Sequence, residues 1–407
     1  MKTIQLLAIG AAMGALVLSP HAFGQDRFAT LYNVTGDNPI GLAAINGAIY
    51  VTTFSNSVNG NCGTVLELQA PSTGGTAWTE TVLYSFAGGE DACSPVAAPF
   101  VGADGVLYGI ASGGGAYNWG ALYELQPPTS PDGAWTEAVL YSFSAPGANT
   151  GSSANNLLPG PGGSFYLVTA DSGAFGAGAL VELKPPPVPG GGWTSTVLYS
   201  LPAEGGEPTS LTMGADGVFY GTTLYGGTAP GELGEVFQLT RPAAPGGAWT
   251  ETVLHNFGYG DGSASSPNSL TVAGDGTVYG TSSGPTFFTN GAGTVFKLAP
   301  PSSPGGSWAY TVLKNFGEGG VAPDSPLILR NGNLYGAITS PAGGVLFELQ
   351  PPATPGGAWT TTYLHNFRNG QMPGGAMVMD SDGTIYGVTV APRAQQPGGT
   401  VFRITSK

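Results

Sequence analysis

Apolar positions along this chain fall in short runs with no helical three-to-four spacing. One run returns seven times: Val65-Leu66-Glu67-Leu68, Leu122-Tyr123-Glu124-Leu125, Leu180-Val181-Glu182-Leu183, Val236-Phe237-Gln238-Leu239, Val295-Phe296-Lys297-Leu298, Leu346-Phe347-Glu348-Leu349 and Val401-Phe402-Arg403-Ile404. Its third position is polar and the other three are apolar. A strand with one wet face would alternate strictly, so this run predicts strands in sheets covered on both faces.

A turn signature keeps the same beat. Asn46-Gly47, Asp104-Gly105, Gly162-Gly163, Asp216-Gly217, Asp275-Gly276, Asn331-Gly332 and Asp382-Gly383 each precede a tyrosine: Tyr50, Tyr108, Tyr166, Tyr220, Tyr279, Tyr335 and Tyr386. Successive copies lie 58, 58, 54, 59, 56 and 51 residues apart, the period of a modular array. These dipeptides are expected to form two-residue hairpin turns with positive φ. In the copy from Pro208 to Phe257 a short apolar run precedes the turn and Val218–Thr223 follows it, rich in aromatic and β-branched residues. After a Gly-rich loop comes the recurring run, then a Pro-rich stretch, then Trp249-Thr250-Glu251-Thr252-Val253-Leu254. Each copy therefore holds four strands, a to d.

The fourth strand carries Trp78, Trp135, Trp193, Trp249, Trp308 and Trp359, six times for seven copies. The missing copy has its counterpart at the other end of the chain, where Ala29-Thr30-Leu31-Tyr32-Asn33-Val34 matches Thr81-Val82-Leu83-Tyr84-Ser85-Phe86. A displaced strand of this kind closes a ring and removes the two open edges that a linear array would expose. The prediction is all-β: a seven-bladed β-propeller with four strands per blade, closed by the N-terminal strand completing the last blade.

The succession DG-x-LYG, Gly-rich loop, VF-x-L, Pro-rich loop and W-T-x-TVLYSF resembles the GloVer tandem repeat of secreted proteins from Gloeobacter, Verrucomicrobia and other bacteria, in the choice-of-anchor group. The likeness spans essentially the whole chain after its first 24 residues. It implies export and a propeller-like array. It brings no catalytic residue. The C-terminal anchor of many members has no counterpart here, so it does not imply surface attachment.

Residues 1–24 have the form of a signal peptide, with Lys2, the apolar stretch Leu6–Leu18 and Ala22-Phe23-Gly24 fitting the small-x-small cleavage rule. Residues 25–407 form one propeller, soluble and secreted, extracellular or periplasmic, without a membrane span. Gly and Pro supply 103 of 407 residues (69 and 34), placed between periodic segments as turn chemistry. The net charge of −14, with charged residues only 9% of the chain, argues against nucleic acid and anionic membranes as partners. Cys62 and Cys93 fall in loops expected on the same face, and export permits a disulfide between them.

Strand order puts loops a–b and c–d on one face and loops b–c and d–a on the other. Asp104, Asp216, Asp275 and Asp382 belong to the first face. Asn or Gly fills the same slot in other copies, which fits a turn requirement rather than a metal requirement. The second face gathers aromatic and polar residues suited to sugars, whose C–H faces stack on rings while their hydroxyls hydrogen-bond. Trp119, Tyr117, Asn118, Tyr225, Phe287, Asp91 and Asp261 are the candidate ligand-binding residues. No catalytic residue, metal or cofactor is expected. The resulting expectation is a monomeric, non-catalytic module that binds glycans or an extracellular protein. The alternatives are a carbohydrate-active enzyme (glycosidase or lyase) using carboxylates of the second face, and a structural envelope or matrix component.

Overall fold

A computed structural model describes residues 27–405 except 36–37, 46, 55–61, 72–76, 131–132, 147–153, 189, 245, 259–260, 262–265, 284–292, 304, 318–322, 324, 341–342, 355, 369 and 392–397. Seven antiparallel sheets form the ring. Blade 1 runs Asn38–Ile45, Ala48–Phe54, Thr64–Gln69 and Thr79–Ser85. In blade 2 strand a is split into Ala92–Pro95 and Phe100–Val101, followed by Leu107–Gly114, Ala121–Gln126 and Thr136–Ser142. Blade 3 runs Ala154–Pro159, Phe165–Thr169, Ala179–Lys184 and Thr194–Ser200, and blade 4 runs Pro208–Met213, Phe219–Thr223, Glu235–Thr240 and Thr250–Asn256. Blade 5 comprises Ser266–Val272, Val278–Ser283, Thr294–Ala299 and Ala309–Asn315. Blade 6 comprises Ile328–Arg330, Asn333–Ser340, Gly343–Gln350 and Thr360–Asn366. Blade 7 takes Met372–Met379, Ile385–Val390 and Gly398–Thr405 from the C-terminal end, and Arg27–Thr35 as its outermost strand.

The closing ladder pairs Phe28 with Ile404, Ala29 with Arg403, Tyr32 with Val401 and Val34 with Gly399. A bulge between Thr30 and Tyr32 matches the bulge between strands c and d of blades 1 to 6, as at Val65/Leu66 and Val295/Phe296. The N-terminal segment thus repeats the local geometry of a fourth strand as well as its sequence.

Apolar burial lies between blades, which explains the nearly continuous apolar run of strand c. Val65 joins Leu83, Phe86, Leu107 and Tyr123 in the seam between blades 1 and 2. Its neighbours Leu66 and Leu68 face the other way, joining Val34, Val388 and Val401 in the seam between blades 7 and 1. Phe28, Phe367, Met377 and Phe402 fill the seam between blades 6 and 7. The signature tyrosine and tryptophan belong to the same seams. The strand-b tyrosine of one blade meets the tryptophan of the next, as in Tyr220 with Trp308 (6.5 Å) and Tyr279 with Trp359 (6.3 Å).

Size complementarity within each blade links strands b and c. Gly109, Gly221, Gly280, Gly336 and Gly387 pair with Tyr123, Phe237, Phe296, Phe347 and Phe402. A Cβ at any of these glycines would collide with the facing ring. Blades 1 and 3 solve the same volume problem with Val51 against Leu66 and Leu167 against Val181.

The hairpin turns differ from the expected form where aspartate is present. Asn331-Gly332 is a true two-residue turn, with Arg330 paired to Asn333 and φ of 52° and 83°. Around Asp104, Asp216, Asp275 and Asp382 the loop has three residues, closed by bonds such as Gly102 N–H to Val106 O (2.8 Å), and positive φ falls only on the glycine. Aspartate acts through its side chain instead. Its Oδ1 accepts the N–H two residues on, at 3.2 Å (Val106), 3.1 Å (Val218), 2.9 Å (Thr277) and 2.7 Å (Thr384). These bonds hold the Asp275 and Asp382 carboxyls below the usual range.

Cys62 and Cys93 are joined, with Cα atoms 4.6 Å apart across 31 residues of sequence. The bond ties the b–c loop of blade 1 to the innermost strand of blade 2. On the chain-entropy model a loop of this length contributes about 3 to 4 kcal/mol. The double variant Cys62→Ser/Cys93→Ser should therefore lower the urea midpoint of a monomeric preparation without changing its circular dichroism. Gly280→Ala should cost about 1 to 3 kcal/mol through overpacking. Gly280→Val with Phe296→Leu, which copies the blade 1 pair, should recover most of that loss in the same denaturation assay.

Candidate functional site

The b–c loops of blades 2, 3 and 4 share one hydrogen-bonded frame. In blade 2, Gly120 N–H donates to Gly114 O (3.2 Å), Asn118 N–H to Gly115 O (3.0 Å) and Ala116 N–H to Ser142 Oγ (3.0 Å). In blade 3, Gly178 N–H donates to Ser172 O (3.0 Å), and Ala174 N–H to Ser200 Oγ (3.0 Å). In blade 4, Gly234 N–H donates to Gly226 O (3.1 Å), and Thr228 N–H to Asn256 Oδ1 (2.8 Å). The polar residue ending strand d thus anchors the loop in each case. Tyr117 and Phe175 occupy the same position on this frame. The chain reverses there because Gly115 and Gly173 take φ of 74° and 78°, a region open to glycine.

Bonds to the neighbouring d–a segments place both loop types on one face. Gly115 N–H donates to Asp91 O (3.1 Å), Gly227 N–H to Glu204 O (3.1 Å) and Leu224 N–H to Glu207 O (2.7 Å). Tyr117 is 64% exposed, Trp119 42%, Phe175 63% and Tyr225 57%. Among the described residues these four are the exposed aromatic side chains, and all lie on the b–c loops of three consecutive blades.

The polar candidates have internal duties. Asn118 has φ 56° and accepts Gly114 N–H at its Oδ1 (3.2 Å), so its amide oxygen braces the loop. Asp91 Oδ2 accepts Ala87 N–H (2.7 Å) and the Tyr84 hydroxyl (3.2 Å). Asp261 Oδ2 accepts Gly258 N–H (2.8 Å) and lies 3.3 Å from His255 Nε2. Burial lowers the His255 pKa more than Asp261 raises it, so this contact is a weak polar one rather than an ion pair. Phe287 lies outside the described residues. Among the described residues no group of three His, Cys, Asp or Glu side chains converges on one point.

The sequence reading did not foresee a chain of cross-blade contacts on strand d. The sixth residue of one strand d reaches the second residue of the next. Tyr141 donates to Ser195 Oγ (2.9 Å) and Tyr199 to Glu251 Oε2 (3.0 Å), while His255 stacks on Tyr310 (4.1 Å) and His365 on Phe28 (3.6 Å). At the seam of blades 1 and 2, Tyr84, Asp91, Tyr123 and Glu137 come together. Burial, followed by the Asp91 charge, pushes the Glu137 carboxyl up to about 7, and burial pushes the Tyr84 hydroxyl up to about 12. Asp91 Oδ1 and Glu137 Oε1 are both buried without a donor, and the raised pKa of Glu137 favours the protonated carboxyl, which carries one. Glu235 is likewise pushed up to about 7 by burial and by Glu251. These carboxyls sit in the seams between blades. The sixth position of strand d, which holds Tyr84, Tyr141, Tyr199, His255 and His365 in five blades, was the available signal.

A family model described as the Gloeobacter/Verrucomicrobia repeat matches residues 37–284 and 243–407. The chain belongs to this repeat family. No curated protein matches it by sequence. Among solved structures, a polysaccharide lyase of family PL25, an ulvan lyase, superposes with a TM-score of 0.58 at 11% identity, covering 92% of this chain and 95% of that one. The polysaccharide lyase Uly1 gives 0.52 at 10% identity, covering 91% and 90%. A puromycin-hydrolyzing peptidase of Mycobacterium tuberculosis gives 0.51 at 12% identity, covering 93% of this chain and 51% of the peptidase. At these identities the likeness is one of fold, shared by this Gloeobacter/Verrucomicrobia repeat protein with enzymes of different chemistry.

The seam carboxyls give stability a pH dependence. Glu137 and Glu235 have folded pKa values above the ordinary carboxyl value of 4.5, so their contribution is complete below pH 4.5 and is lost as pH rises through about 7. His365, lowered to about 4 by burial, acts the opposite way: its contribution is present above 6.5 and is lost as pH falls through about 4. Glu137→Gln should therefore reduce the fall in Tm between pH 5 and pH 8 by roughly 2 °C or more, measured by scanning calorimetry. Its Tm at pH 5 should change little.

Proposed function

We propose that the b–c face is a non-catalytic binding surface for a neutral glycan, carried by an exported, monomeric propeller. The observation behind this reading is the confinement of exposed aromatic side chains, among the described residues, to the b–c loops of blades 2, 3 and 4. Tyr117, Trp119, Phe175 and Tyr225 offer flat apolar faces to sugar C–H surfaces. The loop frames hold them with backbone bonds, so little conformational entropy is lost on binding. Asn118 and Asp91 serve by bracing those loops.

The fold suits such a ligand. A PL25 ulvan lyase of similar architecture was solved bound to -[GlcA(1-4)Rha3S]-, with a TM-score of 0.58. An anionic polymer of that kind fits this chain poorly, because its net charge is −14 with 11 Lys and Arg in all. The Cys62–Cys93 bond suits an oxidising compartment. No helix among the described residues is long and apolar enough to cross a membrane.

The test is a glycan array of neutral and anionic polysaccharides, followed by titration calorimetry on the best ligand. Trp119→Ala or Tyr117→Ala should weaken binding about tenfold, or about 1.4 kcal/mol, at unchanged Tm. Glu137→Gln should leave affinity unchanged, and the unaltered protein should release no product from any glycan it binds. Absence of any glycan ligand, or equal affinity in Trp119→Ala, contradicts the proposal. Turnover abolished by Glu137→Gln would favour the lyase alternative.

A further inference from the structure

On the opposite face a groove of about 340 Å³ opens between blades 7 and 1. It is lined by Trp78 and Tyr386, by the small and aliphatic Ala44, Ala48 and Ile49, and by Asp380 and Ser381. Trp78 and Tyr386 are one copy of the tryptophan–tyrosine pair that repeats around the ring. The same slot between blades 3 and 4 is filled from within. There the Arg241 guanidinium stands 5.7 Å from the centroid of Tyr166 and 5.6 Å from that of Trp249, and donates to the Tyr166 hydroxyl at 2.8 Å.

Sequence register explains why one slot is full and the other open. Arg241 is the second residue after Leu239, the last apolar residue of the strand-c run; the corresponding residue after Leu68 is Ala70. In four other blades the position holds proline, whose ring lies beside the turn glycine: Pro127 by Gly105, Pro185 by Gly163, Pro300 by Gly276 and Pro351 by Gly332. Nothing stands over Gly47, which lines the groove. Blade 1 thus pairs the smallest side chain at this position with a tight turn, above a ring pair that elsewhere holds a guanidinium.

We infer that the groove between blades 7 and 1 is a receptor site for a guanidinium group, an arginine side chain presented by a peptide. The planar cation stacks against the Trp78 and Tyr386 faces, and Arg241 is the internal example of that geometry. The Tyr386 hydroxyl accepts one N–H, as Tyr166 accepts from Arg241. Asp380 supplies a carboxylate to the lining. With Asp380 counted, the local charges balance: Arg330 donates to Asp380 O and Ser381 O at 2.6 Å each, Asp382 lies in the same turn, and Arg403 lies near Tyr386. Selection therefore rests on ring stacking and on the hydroxyl acceptor. An ammonium group cannot stack in the same way.

The experiment titrates the folded full-length protein with N-acetyl-arginine amide and follows indole N–H resonances, with Trp78 assigned through Trp78→Phe. Saturable shifts of Trp78 are expected, with at least tenfold weaker response to N-acetyl-lysine amide. Ala70→Arg should fill the groove in cis and abolish the response. Arg241→Ala should open a second slot and make Trp249 responsive, which keeps the test informative should Ala70→Arg fold poorly. No saturable shift at Trp78, equal response to the lysine amide, or full binding by a folded Ala70→Arg protein would overturn the inference. None of these outcomes bears on glycan binding by the other face.

Discussion

The antiparallel ladder between Arg27–Thr35 and Gly398–Thr405 is the interaction on which the structure depends. Each blade is apolar on both faces and cannot be stable alone. A linear string of such sheets would leave one apolar face bare at each end, together with two unpaired strand edges. The N-terminal strand removes both liabilities. Phe28 enters the seam with blade 6 beside Phe367 and Phe402, and Val34 enters the seam with blade 1 beside Leu42 and Val401. The seven seams then become equivalent in kind, and each segment's burial supports its neighbour's.

Much of this was legible in the sequence because it concerns period and local polarity. The strand-c runs, the tryptophans and the displaced copy at Ala29–Val34 were enough to predict blade number and closure. The turns were only half legible. Asn331-Gly332 behaves as its dipeptide implies, whereas Asp104 and its counterparts sit at negative φ and work through Oδ1, a choice set by loop length rather than by the dipeptide. The glycine–aromatic pairing of strands b and c was visible as covariation. Reading it required knowing which positions face each other.

The site was less legible for a geometric reason. Asp91, Asp261 and Asn118 looked like free ligand groups because loops supply them, yet their partners are backbone N–H groups a few residues away. Nothing in the sequence singled out Glu137 or Glu251. Their burial comes from the neighbouring blade, whose contributing residues lie on the order of one repeat away in sequence. The exposed rings of Tyr117, Trp119 and Tyr225 were accessible to sequence reasoning because nothing in the repeat demands an aromatic residue there; Phe175 is exposed in the same setting. The two faces thus differ in make-up: hydrogen-bonded loop frames present aromatic side chains on one, and a groove between blades 7 and 1 opens on the other.

Ring closure can be measured directly by placing cysteines at the paired positions Ala29 and Arg403. In the double variant Ala29→Cys/Arg403→Cys, a closed ring predicts a spontaneous intrachain disulfide, no free thiol beside the native Cys62–Cys93 bond, a monomer by light scattering and a raised Tm. Two persistent free thiols, or disulfide-linked dimers and higher species, would contradict closure and the assignment of loops to faces that rests on it.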